Sequence, residues 1–177
     1  MFNSFHWASQ FGELFVSCCD EFEDGNKDYA AWFDEEDIAY LNSIGAKPRE
    51  IFDFVEDCCG AEGDEPTPET ALLVAAVRRD YFLTEQKGMP SGKIVPMSDL
   101  PAKPAEMDGI PWLPRLIAKA EAKLRGEMDD DTMYGCGGDR AFLEQHKIHP
   151  ADFLRVVWAA RGDKDRVLRF VKSGKWE

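Results

Sequence analysis

Residues 112–157 read WLPRLIAKAEAKLRGEMDDDTMYGCGGDRAFLEQHKIHPADFLRVV, and their periodicity sets the fold class. At about 100° per residue, Leu113, Leu116, Ile117, Ala120 and Leu124 share one arc of a helix. Arg115, Lys119 and Lys123 recur every four residues in a second arc beside it. A basic stripe along the border of a buried stripe is a half-sheltered place for charge. Gly126 ends the helix, because glycine accepts the left-handed conformation of a C-terminal cap. An acidic connection, Met128–Met133, leads to Tyr134-Gly-Cys136-Gly-Gly-Asp139. Asp139 stands three residues after Cys136, the spacing of a capping box at the start of a short helix carrying Phe142 and Leu143. His149-Pro150 opens another helix, with Pro at its first position and Phe153, Leu154, Val156 and Val157 inward.

Leu113-Pro114-Arg115, Lys119, Leu124, Gly126, Tyr134-x-Cys136-x-x-Asp139, Phe142-Leu143 and Asp152-Phe153 together resemble the core pattern of a bacterial family, domain of unknown function number 5069. The likeness covers about the C-terminal half. It implies a small helical domain whose pattern includes these Arg, Lys, Tyr, Cys and Asp residues. It implies no activity. The N-terminal half departs from the pattern.

Working outward, the same rules predict four earlier helices. The first runs from Ser4 to Phe22 with Phe11, Leu14, Phe15, Cys18 and Phe22 on one face. Acids at Asp34–Asp37 suit the start of the second, and Gly45 stops it. Pro48 begins the third, and Thr67-Pro68 caps the fourth after an acidic loop at 60–66. A last helix covers Arg166–Val171. Displaced by 102 residues, the chain aligns with itself without a gap across three helices, and the Arg166–Val171 helix matches Leu72–Val77 after a shorter loop. Phe11 meets Leu113, Phe15 meets Ile117, Cys18 meets Ala120, Leu41 meets Leu143 and Pro48 meets Pro150. The expected architecture is therefore all-α, with two similar helical halves, 1–82 and 112–177, as a tandem pseudo-repeat. The Pro/Gly-rich segment 83–111 reads as a strap joining them, with Lys93–Met97 extended against one half.

Composition narrows the function classes. The chain has 177 residues, 44% hydrophobic and 12% aromatic, enough for a buried core without disulfide staples. A net charge of −13 argues against binding nucleic acid or an anionic membrane surface. No apolar run reaches the roughly 18 residues of a membrane span, and MFNSFHWASQFGELF lacks the features of a signal peptide. Five cysteines, with two adjacent pairs, read as reduced thiols in a cytoplasm.

Chemistry concentrates in one place. A helix N-terminus favours a thiolate, and glycines flank Cys136, so this residue is the candidate nucleophile or redox thiol. Arg115, Lys119, Lys123, Tyr134, Cys136 and Asp139 form the candidate ligand site, suited to a small anion. The basic stripe has a second reading, since the 102-residue register sets Glu13 and Glu21 opposite Arg115 and Lys123 as potential partners. Adjacent cysteines and scattered histidines lack zinc spacing, and the acidic runs lack a calcium loop, so neither metal nor cofactor is expected. The sequence thus points to a cytoplasmic binding or interaction module with an unknown small anionic ligand or protein partner. Its alternative is an enzyme working through Cys136.

Overall fold

The computed structural model describes residues 5–60 and 66–176, and these divide into two units, one on each side of the Met89–Pro90 bond. Four helices make the first: α1 (Trp7–Glu23), α2 (Glu35–Ile44), α3 (Pro48–Gly60) and α4 (Pro68–Thr84). The expected start at Ser4 and residues 61–65 of the expected acidic loop lie outside the described residues. The Asp34 side chain accepts from the N–H groups of Glu36 and Asp37, while Asp37 accepts from the Asp34 N–H, a complete capping box. Thr67 caps α4 with Pro68 at its first position. Helix α1 packs on α3 and α4, and α4 also meets α2 and α3. Phe11, Phe15, Tyr40, Leu41, Val55 and Val74 form the centre of this core.

One glycine in this unit is held there by space as well as by φ. Gly45 ends α2 at φ +71°, and a Cβ placed on it would lie 2.5 Å from Cγ of Phe82. Gly45→Ala is therefore expected to lower stability by about 2 kcal/mol, from left-handed strain plus overpacking. Urea denaturation checks it, and an unchanged midpoint would show that the Phe82 ring yields freely.

The second unit carries α5 (Leu113–Arg125), α6 (Gly137–Gln145), α7 (Pro150–Ala160) and α8 (Lys164–Ser173). Helix α7 packs on α5 and α8. Leu113, Leu116, Ile117, Leu143, Phe153 and Leu154 are buried almost completely. The protein is thus largely α-helical, with one departure from the all-α expectation. Strands β1 (Glu106–Met107) and β2 (Ile110–Pro111) pair in an antiparallel hairpin. Its turn is Asp108-Gly109, both at positive φ, as a two-residue hairpin turn requires. The Asp-Gly pair was the available signal, but strands of two residues are too short for alternation to reveal.

The segment read as a strap divides. Leu83 and Thr84 complete α4, and the chain from Pro90 onward belongs to the second unit. Part of it is extended, as expected: the Val95 N–H donates to the Glu127 carbonyl at 2.7 Å, and the Met97 N–H to Oδ2 of Asp129 at 2.6 Å. Ser91 adds a hydroxyl donor to Glu127 at 2.7 Å.

Candidate functional site

The site begins with a strained residue. Trp112 sits at φ +70° between β2 and α5, a conformation that costs a non-glycine residue about 1–2 kcal/mol. Its backbone is held by an N–H bond to the Ala105 carbonyl at 3.0 Å, and its own carbonyl accepts from Leu116 at 2.9 Å. The indole then lies over the first turn of α6. A Cβ on Gly138 would stand 2.6 Å from that ring, so only glycine admits the approach. From there the indole Nε1 donates to Oδ1 of Asp139 at 2.9 Å.

Asp139 is completely buried and is the hub. Its other oxygen accepts from the Gly135 N–H at 2.9 Å and forms an ion pair with the Lys119 ammonium, itself 3% exposed. A buried carboxylate with three donors is well satisfied, as such a charge must be. Gly135, at φ +88°, also accepts from the Arg140 guanidinium at 2.8 Å through its carbonyl. The loop before α6 is therefore fixed from both sides.

Cys136 is the N-cap of α6, as the capping spacing predicts, but the box does not close in the expected way. Asp139 reaches the N–H of Gly135 rather than that of Cys136, and the Cys136 side chain accepts no bond from the helix N–H groups. The sulfur instead accepts from Lys119 Nζ at 3.3 Å. Cys136 is half-buried, and Gly137 and Gly138 beside it are exposed. The arrangement is a thiol with an ammonium against it and a carboxylate behind the ammonium. Chemically it sets a cation against the sulfur and holds the sulfur in one orientation.

The remaining predicted residues have other destinations. Tyr134 is buried, and its hydroxyl donates to the Pro150 carbonyl at 2.8 Å. Burial, with Asp139 nearby, pushes its phenol well above the usual range. Arg115 donates to the Pro101 carbonyl at 2.8 Å. Lys123 is buried one turn beyond Lys119 on α5. The first two bases of the stripe thus find partners within their own unit. Trp112, Gly135 and Arg140 complete the cluster and were absent from the sequence-derived site. Among the described residues, no group of three or more His, Cys, Asp or Glu is arranged to hold a metal, and no helix is long and apolar enough to cross a membrane.

Comparisons of the chain with protein-family models, with curated proteins and with solved structures return no match.

Proposed function

We propose that this chain is a helical binding or interaction module that acts through Cys136, used as a nucleophilic or redox thiol. The observation that carries the reading is the 3.3 Å contact from Lys119 Nζ to Cys136 Sγ at the first turn of α6. It supplies the cation that a reactive thiol needs and that a merely space-filling cysteine lacks. The alternative of an anion-binding pocket has weaker support. Lys119 is 3% exposed and already engaged by Asp139 and Cys136, while Tyr134 and Arg115 donate to backbone carbonyls. A second reading rests on the complete burial of Asp139. On that reading the Trp112–Asp139–Lys119 group only pins α6, and an adjoining surface meets a protein partner.

Thiol labelling separates the two. Cys18 is buried, and burial, with Asp37 and Glu21 adding to it, pushes its thiol up to about 12. Its thiolate is therefore scarce near neutrality. At pH 8 Cys136 is expected to react with iodoacetamide more than about tenfold faster than Cys18 in the folded protein. Equal rates, read by peptide mass mapping, would remove the thiol reading and leave the interaction module.

The reading includes descent from one duplicated helical unit. Three correspondences at the 102-residue register support it: Asp34 and Cys136 are both N-caps, α2 and α6 begin at 35 and 137, and α3 and α7 begin at 48 and 150. Packing of α1 on α3 is matched by α5 on α7. Superposing 11–55 on 113–157 in an experimental structure checks it, and a different helix arrangement in the two segments refutes it. Membership of the bacterial family that the C-terminal half resembles, and a cytoplasmic home for the five reduced thiols, belong to the same proposal.

A further inference from the structure

Away from Cys136, three thiols converge in the N-terminal unit. Cys19 lies toward the end of α1, and Cys58 and Cys59 lie at the end of α3. These two helices pack against each other. The Cys19, Cys58 and Cys59 thiols interact with one another there. All three are half-buried and reduced. Cys18, the neighbour of Cys19, is turned into the core instead, at 1% exposure. Adjacent helical residues point about 100° apart, so only one cysteine of the α1 pair reaches α3.

We propose that Cys19 and Cys59 are an oxidisable dithiol, a modification site whose closure to a disulfide clips α1 to α3. The two thiols interact where α1 packs on α3, so the bond joins side chains that the fold already sets against each other. The electron acceptor is a small disulfide. The Cys59 thiolate attacks one of its sulfurs, forming a mixed disulfide and releasing one small thiolate. The Cys19 thiolate then attacks the Cys59 sulfur, and the second small thiolate leaves. The two protons from the protein thiols go to the two released thiolates. The protein loses two hydrogens, and the oxidant becomes two thiols. Burial holds Cys19 and Cys58 protonated above the usual thiol range. Closure therefore accelerates as pH rises, because the thiolate is the attacking species.

The test uses the full chain with glutathione disulfide at alkaline pH, followed by acid quenching, denaturation, alkylation and mass measurement. The expected product has lost two hydrogens in a bond between Cys19 and Cys59, leaves these two cysteines unalkylated, and melts at higher temperature until dithiothreitol is added. Cys136→Ser and Cys58→Ser still close, whereas Cys19→Ser and Cys59→Ser do not. Because the wild-type mass change needs no variant to fold, it stands as a test by itself. A bond from Cys19 to Cys58, mixed disulfides on Cys19 or Cys59 that never resolve, or alkylation of both Cys19 and Cys59 after exposure overturns the proposal.

Discussion

Asp139→Ala is expected to lower the stability of the C-terminal unit by about 3–5 kcal/mol, as removal of one partner from a buried ion pair does. The substitution leaves the Lys119 ammonium, 3% exposed, without its carboxylate. It also strands the Trp112 indole N–H and the Gly135 N–H, which both donate to Asp139. The strained backbone of Trp112 then loses its side-chain anchor. The double substitution Asp139→Leu with Lys119→Met removes both charges together and is expected to cost less than Asp139→Ala alone. Urea denaturation of the single and double variants measures this, with an unchanged denaturant slope as the condition for comparing midpoints. A loss below about 1 kcal/mol for Asp139→Ala would mean that water or a neighbouring group takes over the ammonium, and the hub would not be a hub.

Alkaline pH is the second large lever, and its sign follows from the buried thiols and phenols. Burial raises Cys18 from an ordinary 9.0 to about 12, and it also raises Tyr40 and Tyr134 above the usual phenol range. The folded protein therefore holds these protons more tightly than the unfolded chain. For Cys18 the contribution to stability is fully present below pH 9 and fades as pH rises toward 12. Each such group removes up to about 1.4 kcal/mol per pH unit within its window. Wild-type protein is expected to lose about 2–3 kcal/mol more than Cys18→Ala between pH 8.5 and 11, because alanine carries no proton to lose. The cavity left by alanine lowers the whole curve for the variant without changing its slope. Urea midpoints at a series of pH values read the difference. Parallel curves would show that Cys18 ionises in the folded state as easily as in the unfolded one.

The helices were legible because each carries its own signal. Apolar spacing placed the buried residues of α5 and α7 and those of α1 except Phe22, which is half-buried, and Asp34, Gly45, Pro48, Thr67, Gly126 and Pro150 marked helix ends where backbone N–H or C=O groups need a special residue. The non-helical course of Lys93–Pro96 was also readable, whereas Met97 opens a single 3-10 turn through Asp99. Cys136 as an N-cap followed from spacing alone.

The partners of the charged side chains were decided elsewhere. Four-residue spacing places Arg115, Lys119 and Lys123 on one stripe of α5, but says nothing of what lies opposite. Lys119 meets Asp139 twenty residues later in the chain, and Trp112 meets the same carboxylate across twenty-seven. Those meetings depend on a left-handed turn at Trp112, a glycine at 138 that lets the indole close, and a loop fixed at Gly135. None of the three is a periodic signal. The same limit applies to Cys19, Cys58 and Cys59, which read as separate thiols along the chain and become neighbours where α1 packs on α3. Helical periodicity and capping are local properties of φ and ψ, so the sequence by itself determined the helices. Which buried charge or thiol faces which is set by packing between elements, so only the tertiary structure decided the site.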